Sequence, residues 1–505
     1  MTVECKPCKY YSITLGALLL LCLMFSFPIF AQNEEDTPIR IEFESQKEWS
    51  EFNYLSLGAN GVVVINRGKL IHVDTAVWNF TFYDTNFVKK QSIQKLILSN
   101  ANLITSHQSG SDFFLLFQSS NLRKTPVKWY ILKGNISQNT TNPNDIHLKE
   151  IFPNMQSIKS ISILGQNLLL FSSEKNENGF TFYDLDKDSI TFKVNLQDQY
   201  SEFIITDTTS NKMYICNSIS SKTSEGVTFG FKLLEFDGSN SKEYIFPLYN
   251  LYSYKSARMV KIDTNSYLII GTYSNESEKK NSNIHTGVYS LTFKNGVFGY
   301  PNFYNYTTLK TKDSQALLKG QSNSLNLQLV IGDVFTNNQQ FAFITEVYYP
   351  EYTTTNYYSP GSYYVSTPVS TFDGYRFINA YITTFDKNGN LLWDNYMPIS
   401  NVLTQSLYTK VGIHLDSLNN GYIYYLNGNT ITSTLVNHYR VMEPLLTEKL
   451  TTLYAKDIVE NSAQMKMGRW YGDSYLVSGY QTIKNLSRGK GGKRYVFFLS
   501  RMQYR

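Results

Sequence analysis

Cysteine is the first thing this 505-residue sequence lacks: it has four, and Cys5, Cys8 and Cys22 all fall within residues 1–31. Without that segment Cys216 stands alone, and no internal disulfide can form. Cys216 lies in an apolar run, where a lone thiol packs as a small hydrophobe more often than it serves as a nucleophile. Charged residues are also scarce, at 17% against an ordinary value of about 25%. The formal charge of +5 falls by one when Glu4, Lys6 and Lys9 leave with the first segment, so nothing calls for nucleic acid. His72, His107, His147, His285, His414 and His438 are scattered without HExxH or other metal-ligand spacing. No GxSxG, Walker or dinucleotide glycine pattern is present, which leaves no recognisable catalytic motif and favours a non-enzymatic role. Long amphipathic helical patterns are missing too; the helix candidates are short, near Trp49, at 314–319 and at 454–464.

What the chain has is strand. Residues 374–399, GYRFINAYITTFDKNGNLLWDNYMPI, spell a complete β-hairpin. Ile378, Ala380 and Ile382 fall on one face and Phe377, Tyr381 and Phe385 on the other, as expected of a strand covered on both sides. Residues 386–390 supply the turn, with Asn388 and Gly389 suited to positive φ. Weaker echoes recur along the molecule: FTFYD appears at 80–84 and again at 180–184, and looser versions end near Gly134, Gly238, Gly296 and Met502. Successive units lie roughly 45 to 65 residues apart, the length of one four-stranded propeller blade. The expectation is an all-β fold, a β-propeller of seven or eight degenerate four-stranded blades. Closure by pairing of the terminal segments is expected between the strand at 39–43 and the one at 494–502.

At the N-terminus, Lys6 and Lys9 precede an apolar run over 13–27, and Ala31 stands before Gln32, the pattern of a cleaved signal peptide over residues 1–31. The run is also just long enough for an uncleaved anchor, since a span needs about 20 apolar residues. Leucines before Cys22 argue against a lipobox. The pattern favours export to the periplasm, the outer membrane or the exterior, with no membrane span after cleavage. Residues 32–505 then read as one domain, because the repeat runs nearly end to end without a linker.

Several stretches invite a chemical reading. Asp184, Asp186 and Asp188 alternate in one loop, and clustered oxygens of this kind suit calcium. The loop resembles the calcium-binding hairpins of some propellers, although Ser189 stands where they carry glycine; a polar turn is the plainer reading, and no cofactor is otherwise expected. Residues 348–375 are rich in tyrosine, serine and threonine and interrupt the hairpin, so they are read as an insertion projecting from a blade edge or rim. Within it Tyr352, Tyr357, Tyr358, Tyr363 and Tyr364 offer large area with polar tips, suited to a protein or glycan. A self-packed surface loop is the alternative. Lys484, Arg488, Lys490, Lys493 and Arg494, spaced by glycines, read as a basic hairpin loop or a solvated turn. Sequons such as that at Asn79 are no more than the abundance of asparagine, serine and threonine produces by chance.

The hairpin AYITTFDKNGNLLW resembles a blade of the quinoprotein-type propellers, with Asp386, Gly389 and Trp393 matching an aspartate, a turn glycine and a tryptophan that docks between sheets. The resemblance implies packing roles for these residues and no quinone site. The whole chain is similar to the uncharacterised secreted or periplasmic propeller proteins of Gram-negative envelopes, which implies location rather than activity. The expected function is a binding or scaffolding module, probed against two alternatives: an extracytoplasmic enzyme acting on a glycan through paired carboxylates, and a structural adhesin. Its expected partner is an envelope protein or glycan, and its expected state a monomer.

Overall fold

The computed structural model describes residues 39–45, 52–72, 75–109, 112–119, 127–135, 147–151, 158–164, 167–174, 177–187, 189–195, 201–207, 210–223, 226–237, 240–247, 252–275, 285–309, 327–337, 339–358, 366–405, 407–486 and 492–503. The leader and the helix candidates near Trp49 and at 314–319 lie outside them.

Alternating apolar and polar residues build antiparallel strands, and strands adjacent in sequence pair in space. Among the described residues they form eight sheets: sheet 1 spans 52–98, sheet 2 101–151, sheet 3 160–195, sheet 4 201–245, sheet 5 252–305, sheet 6 328–404, sheet 7 411–449, and sheet 8 458–503 together with Ile39–Glu44. Seven are four-stranded. In sheet 5 the first position is split between Tyr252–Tyr254 and Arg258–Asp263, and the last between Val297–Phe298 and Asn302–Asn305. First strands of neighbouring sheets approach one another from sheet 2 through sheet 7, whereas the last strand of sheet 7, Arg440–Lys449, is exposed along its whole length. First strands therefore line the centre and last strands the rim.

The ring is closed by the termini. Ile39–Glu44 pairs antiparallel with Gly492–Gln503, from Ile39↔Arg501 to Glu44↔Val496, and completes sheet 8 as its outer strand. Eight apolar clusters each join two consecutive sheets, such as Ile382 and Trp393 with Ile413 and Ile423 between sheets 6 and 7. One of them packs Phe497 and Leu499 of sheet 8 on Val62 and Val64 of sheet 1, so no gap in the core separates last sheet from first. The chain is a β-propeller.

The hairpin behaves as its sequence implies, with two refinements. Ala380 and Ile382 face sheet 7, while Phe385 faces sheet 5. A register shift between Phe377 and Asn379 turns Phe377 to the sheet 7 side instead of leaving it with Phe385. In the turn, Gly389 alone takes positive φ (83°) while Asn388 does not. Asp386 Oδ1 accepts the N–H groups of Asn388 and Asn390, both at 2.8 Å. The same carboxylate-capped turn recurs at Asp84, bonding Asn86 and Val88, and at Asp416, bonding Leu418 and Asn420. Aspartate at the first position of each turn thus holds the tip by local side-chain bonds.

Residues 454–464 are not helical. They form a turn leading into the strand Ile458–Arg469, which pairs with Ser474–Asn485. Ring position overrides local preference here, at the expense of a register shift between Ala463 and Lys466 and a positive φ at Gln464.

Candidate functional site

The described parts of the tyrosine-rich stretch, 348–358 and 366–375, are strand. The two hairpin strands of sheet 6 run on into it, as Phe341–Tyr358 and Ser366–Phe385, paired from Phe341↔Phe385 to Tyr358↔Ser366. The flanking strands stop earlier: Gln328–Thr336 reaches only Tyr348, and Leu391–Thr404 only Tyr375. Beyond these points a two-stranded ribbon leaves the sheet.

The face that holds the even-numbered residues of its first strand carries a continuous aromatic ladder. Phe377 and Tyr348 lie 5.9 Å apart, Tyr348 and Tyr375 5.5 Å, Tyr375 and Phe372 5.1 Å, and Phe372 and Tyr352 5.5 Å between ring centroids. Burial fades along it: Phe377 is buried in the core, whereas Tyr352 is 57% exposed. The root is braced by a two-bonded ion pair between Arg376 and Glu351, and Gln405 Nε2 donates to Asp373 O at 2.5 Å. A braced ribbon with exposed rings offers contact area with little rotor entropy to lose. Tyr357 and Tyr358 lie on the outer part of the first strand; Tyr363 and Tyr364 fall outside the described residues.

Below the ribbon lies a group that the sequence reading passed over. Glu346 is fully buried between sheets 6 and 7, where its carboxylate accepts the N–H groups of Lys410 (2.8 and 2.9 Å) and Val411 (2.8 Å). Burial pushes its pKa up to about 7, against the pull of those donors and of Lys410. Lys410 is itself pushed down to about 8 by burial, and its Nζ stands over the rings of Tyr408 and Phe377. The signal was present: Glu346 is the one charge in FAFITEVYY.

Toward the centre, a cavity of about 450 Å³ opens between the first strands of sheets 4, 5 and 6, lined by Phe203, Ile205, Met259, Val334, Arg258 and Asp333 among others. Arg258 Nε lies 4.0 Å from Asp333, and its other nitrogens donate to Ala257 O (2.8 Å) and Ile331 O (3.3 Å). Among the described residues Asp333 is the one acid in that lining.

The aspartate loop is a turn of the family already described. Asp184 Oδ1 accepts the N–H groups of Asp186 and Lys187 at 3.0 Å each, and Lys187 Nζ lies 3.3 Å from Oδ2. The N–H of Lys187 is the main cause of the lowered pKa of Asp184. Asp186 is exposed, and Asp188 lies outside the described residues. Among the described residues no group of three His, Cys, Asp or Glu side chains is placed to hold a metal ion. The basic cluster also divides: Lys493 pairs with Glu460 at 2.6 Å, while Arg494 turns inward and is buried against Glu42 and Asp457. Arg488 and Lys490 lie outside the described residues.

No protein-family model matches the chain, and no curated protein does. Among solved structures it is similar to the C-terminal WD40 domain of Sif2 (8% identity, 92% of this chain and 97% of that one, TM-score 0.39). It is also similar to the Nup133 β-propeller domain of Vanderwaltozyma polyspora (11%, 86% and 100%, 0.38). A third is the β-propeller domain of the Trilobed protease from Pyrococcus furiosus (9%, 82% and 98%, 0.36). All three are propeller domains, and nothing of their activities is carried over to this chain.

Proposed function

We propose that this propeller is an exported binding or scaffolding module of the cell envelope or exterior, with the ribbon beyond Tyr348 and Tyr375 as its contact surface and an envelope protein or glycan as its ligand. Export is supported by Lys6 and Lys9 ahead of the apolar run at 13–27 and by Ala31 before Gln32. Among the described residues, no helix is long and apolar enough to cross a membrane. The observation that carries the binding role is the aromatic ladder, which runs out of the core onto a braced ribbon and ends on exposed Tyr352 and Phe372. Solitary exposed rings are ordinary, whereas Tyr352 and Phe372 side by side beyond the sheet present contiguous apolar area.

The test is capture from an extract of the protein's own envelope, with intact protein compared with a form in which residues 352–370 are replaced by a short turn. A stoichiometric protein or polysaccharide held by the first and not by the second is the expected result. Equal recovery by both forms, with both folded, would remove the ribbon from the binding role.

A further inference from the structure

The two long edges of the ribbon are unlike. On the strand Ser366–Phe385, the stretch outside Tyr375 carries Pro368, and the carbonyl of Asp373 already accepts from Gln405 while its carboxylate accepts from Thr353. Proline has no N–H to offer a neighbouring strand, and an occupied carbonyl offers no free acceptor, so this edge is guarded. On the strand Phe341–Tyr358, Pro350 stands at the root, and residues 351–358, EYTTTNYY, follow with no proline, glycine or lysine. Their one ionic side chain, Glu351, is engaged by Arg376. Among the described residues this strand pairs only with Ser366–Phe385 beyond Tyr348, so its other edge meets no strand. A two-stranded hairpin alone in water is marginal, and further strands stabilise it. An edge of β-branched and aromatic residues at low charge is a template for strand addition.

We propose that the edge at 351–358 pairs antiparallel with the same edge of a second copy of this chain, about a two-fold axis beside Thr354, joining two ribbons into one four-stranded sheet. The sequence of the edge is self-complementary in that register. Thr354 meets its own counterpart, Thr353 meets Thr355, Tyr352 meets Asn356 and Glu351 meets Tyr357, so no charge faces a like charge, and a Thr–Thr pair sits at the centre. The axis stands perpendicular to the sheet, so the Tyr352 and Phe372 faces of both copies lie on the same side and the contact surface doubles. Pro368 and the occupied carbonyl of Asp373 on the outer edges stop addition at two copies, which gives a closed dimer rather than a fibre. The pairing does not depend on what the aromatic face binds. Nothing in the sequence announces it, because an unguarded edge exists only once the stretch is seen to be a strand.

Sedimentation velocity of the purified protein over a dilution series tests this, with Thr354→Lys, Thr354→Glu, an equimolar mixture of the two, and Thr371→Lys on the guarded strand. Wild type and Thr371→Lys are expected to reach a dimer. Each Thr354 variant sets like charges face to face at the axis and should raise the dissociation constant about a hundredfold, while the mixture pairs opposite charges and regains the dimer. Thr354 is exposed, so all forms should melt together. A wild type that stays monomeric, a dimer indifferent to Thr354→Lys, or a mixture that fails to associate would overturn the proposal. The capture experiment is scored separately, by loss of a foreign partner.

Discussion

Glu42 and Arg494 form an ion pair across 452 residues of chain, the first on the N-terminal closing strand and the second on the C-terminal strand beside it. Around them Arg40 Nε donates to the same Glu42 carboxylate at 2.8 Å, Arg494 Nη2 to Asp457 at 2.9 Å, and Arg40 Nη2 to Gln481 at 2.7 Å. All four charged side chains are nearly buried. Apolar pairing alone would tolerate a slipped register in the closing strand; a buried network with fixed partners does not.

Removing Arg494 takes the guanidinium from buried Asp457 and leaves Glu42 to Arg40 alone. Arg494→Met should cost about 3 to 5 kcal/mol in denaturant unfolding. The double variant with Glu42→Gln should cost clearly less than the sum of the singles, as expected of residues in direct contact. Additive losses would show that the pair does not act as a unit.

Trp393 is fully buried between sheets 6 and 7, and its indole N–H donates to Gln340 at 3.2 Å. Trp393→Ala should therefore destabilise the protein by about 3 to 5 kcal/mol, and Trp393→Phe by less, since it keeps most of the ring. A melt unchanged by Trp393→Ala would contradict its place in the core.

Glu346 has a folded pKa raised to about 7 from 4.5, chiefly by burial. The folded state then binds the proton more tightly than the unfolded one, so its contribution to stability is fully present below about pH 4.5 and is lost as pH rises through 7. The loss is on the order of 3 kcal/mol at one pKa unit per 1.36 kcal/mol. Glu346→Gln keeps an acceptor for the N–H groups of Lys410 and Val411 and should flatten that slope. An identical pH profile in both proteins would assign the dependence elsewhere.

Asp184 already bonds two backbone N–H groups and faces Lys187, so a cation would have to displace that lysine. Chelation should leave the wild-type melt unchanged, and Asp184→Ala should lower the melting temperature slightly by removing the acceptor that holds the turn. A chelator-induced drop in melting temperature that Asp186→Ala abolishes would instead establish a calcium loop.

Much of the fold was legible because strand alternation and turn chemistry are local. FTFYD at 80–84 and 180–184 does occupy third strands, of sheets 1 and 3, and each copy ends in an aspartate-capped turn. Terminal closure was legible from architecture, since a ring of blades leaves an unpaired edge unless one terminal strand completes the blade of the other. What stayed hidden depends on partners distant in sequence. The ribbon reads as a loop because Thr353, Thr354 and Thr355 carry no apolar alternation; only pairing with residues 369–371 makes it strand. Arg494 looks like part of a solvated basic turn until Glu42 is placed beside it. The strand Ile458–Arg469 has a polar, helix-compatible sequence, and ring position decides its form.

The most direct test of the central claim is the amount of envelope ligand retained by wild type and by the Tyr352→Ser, Phe372→Ser double variant at equal folded concentration. Both rings stand on the ribbon outside the inter-sheet clusters, so the variant should keep the propeller folded, as its circular dichroism checks. Loss of two aromatic anchors at about 1 to 2 kcal/mol each should lower retention at least tenfold. Undiminished retention by a folded variant would contradict the account, because the propeller would then bind through a surface other than its ribbon.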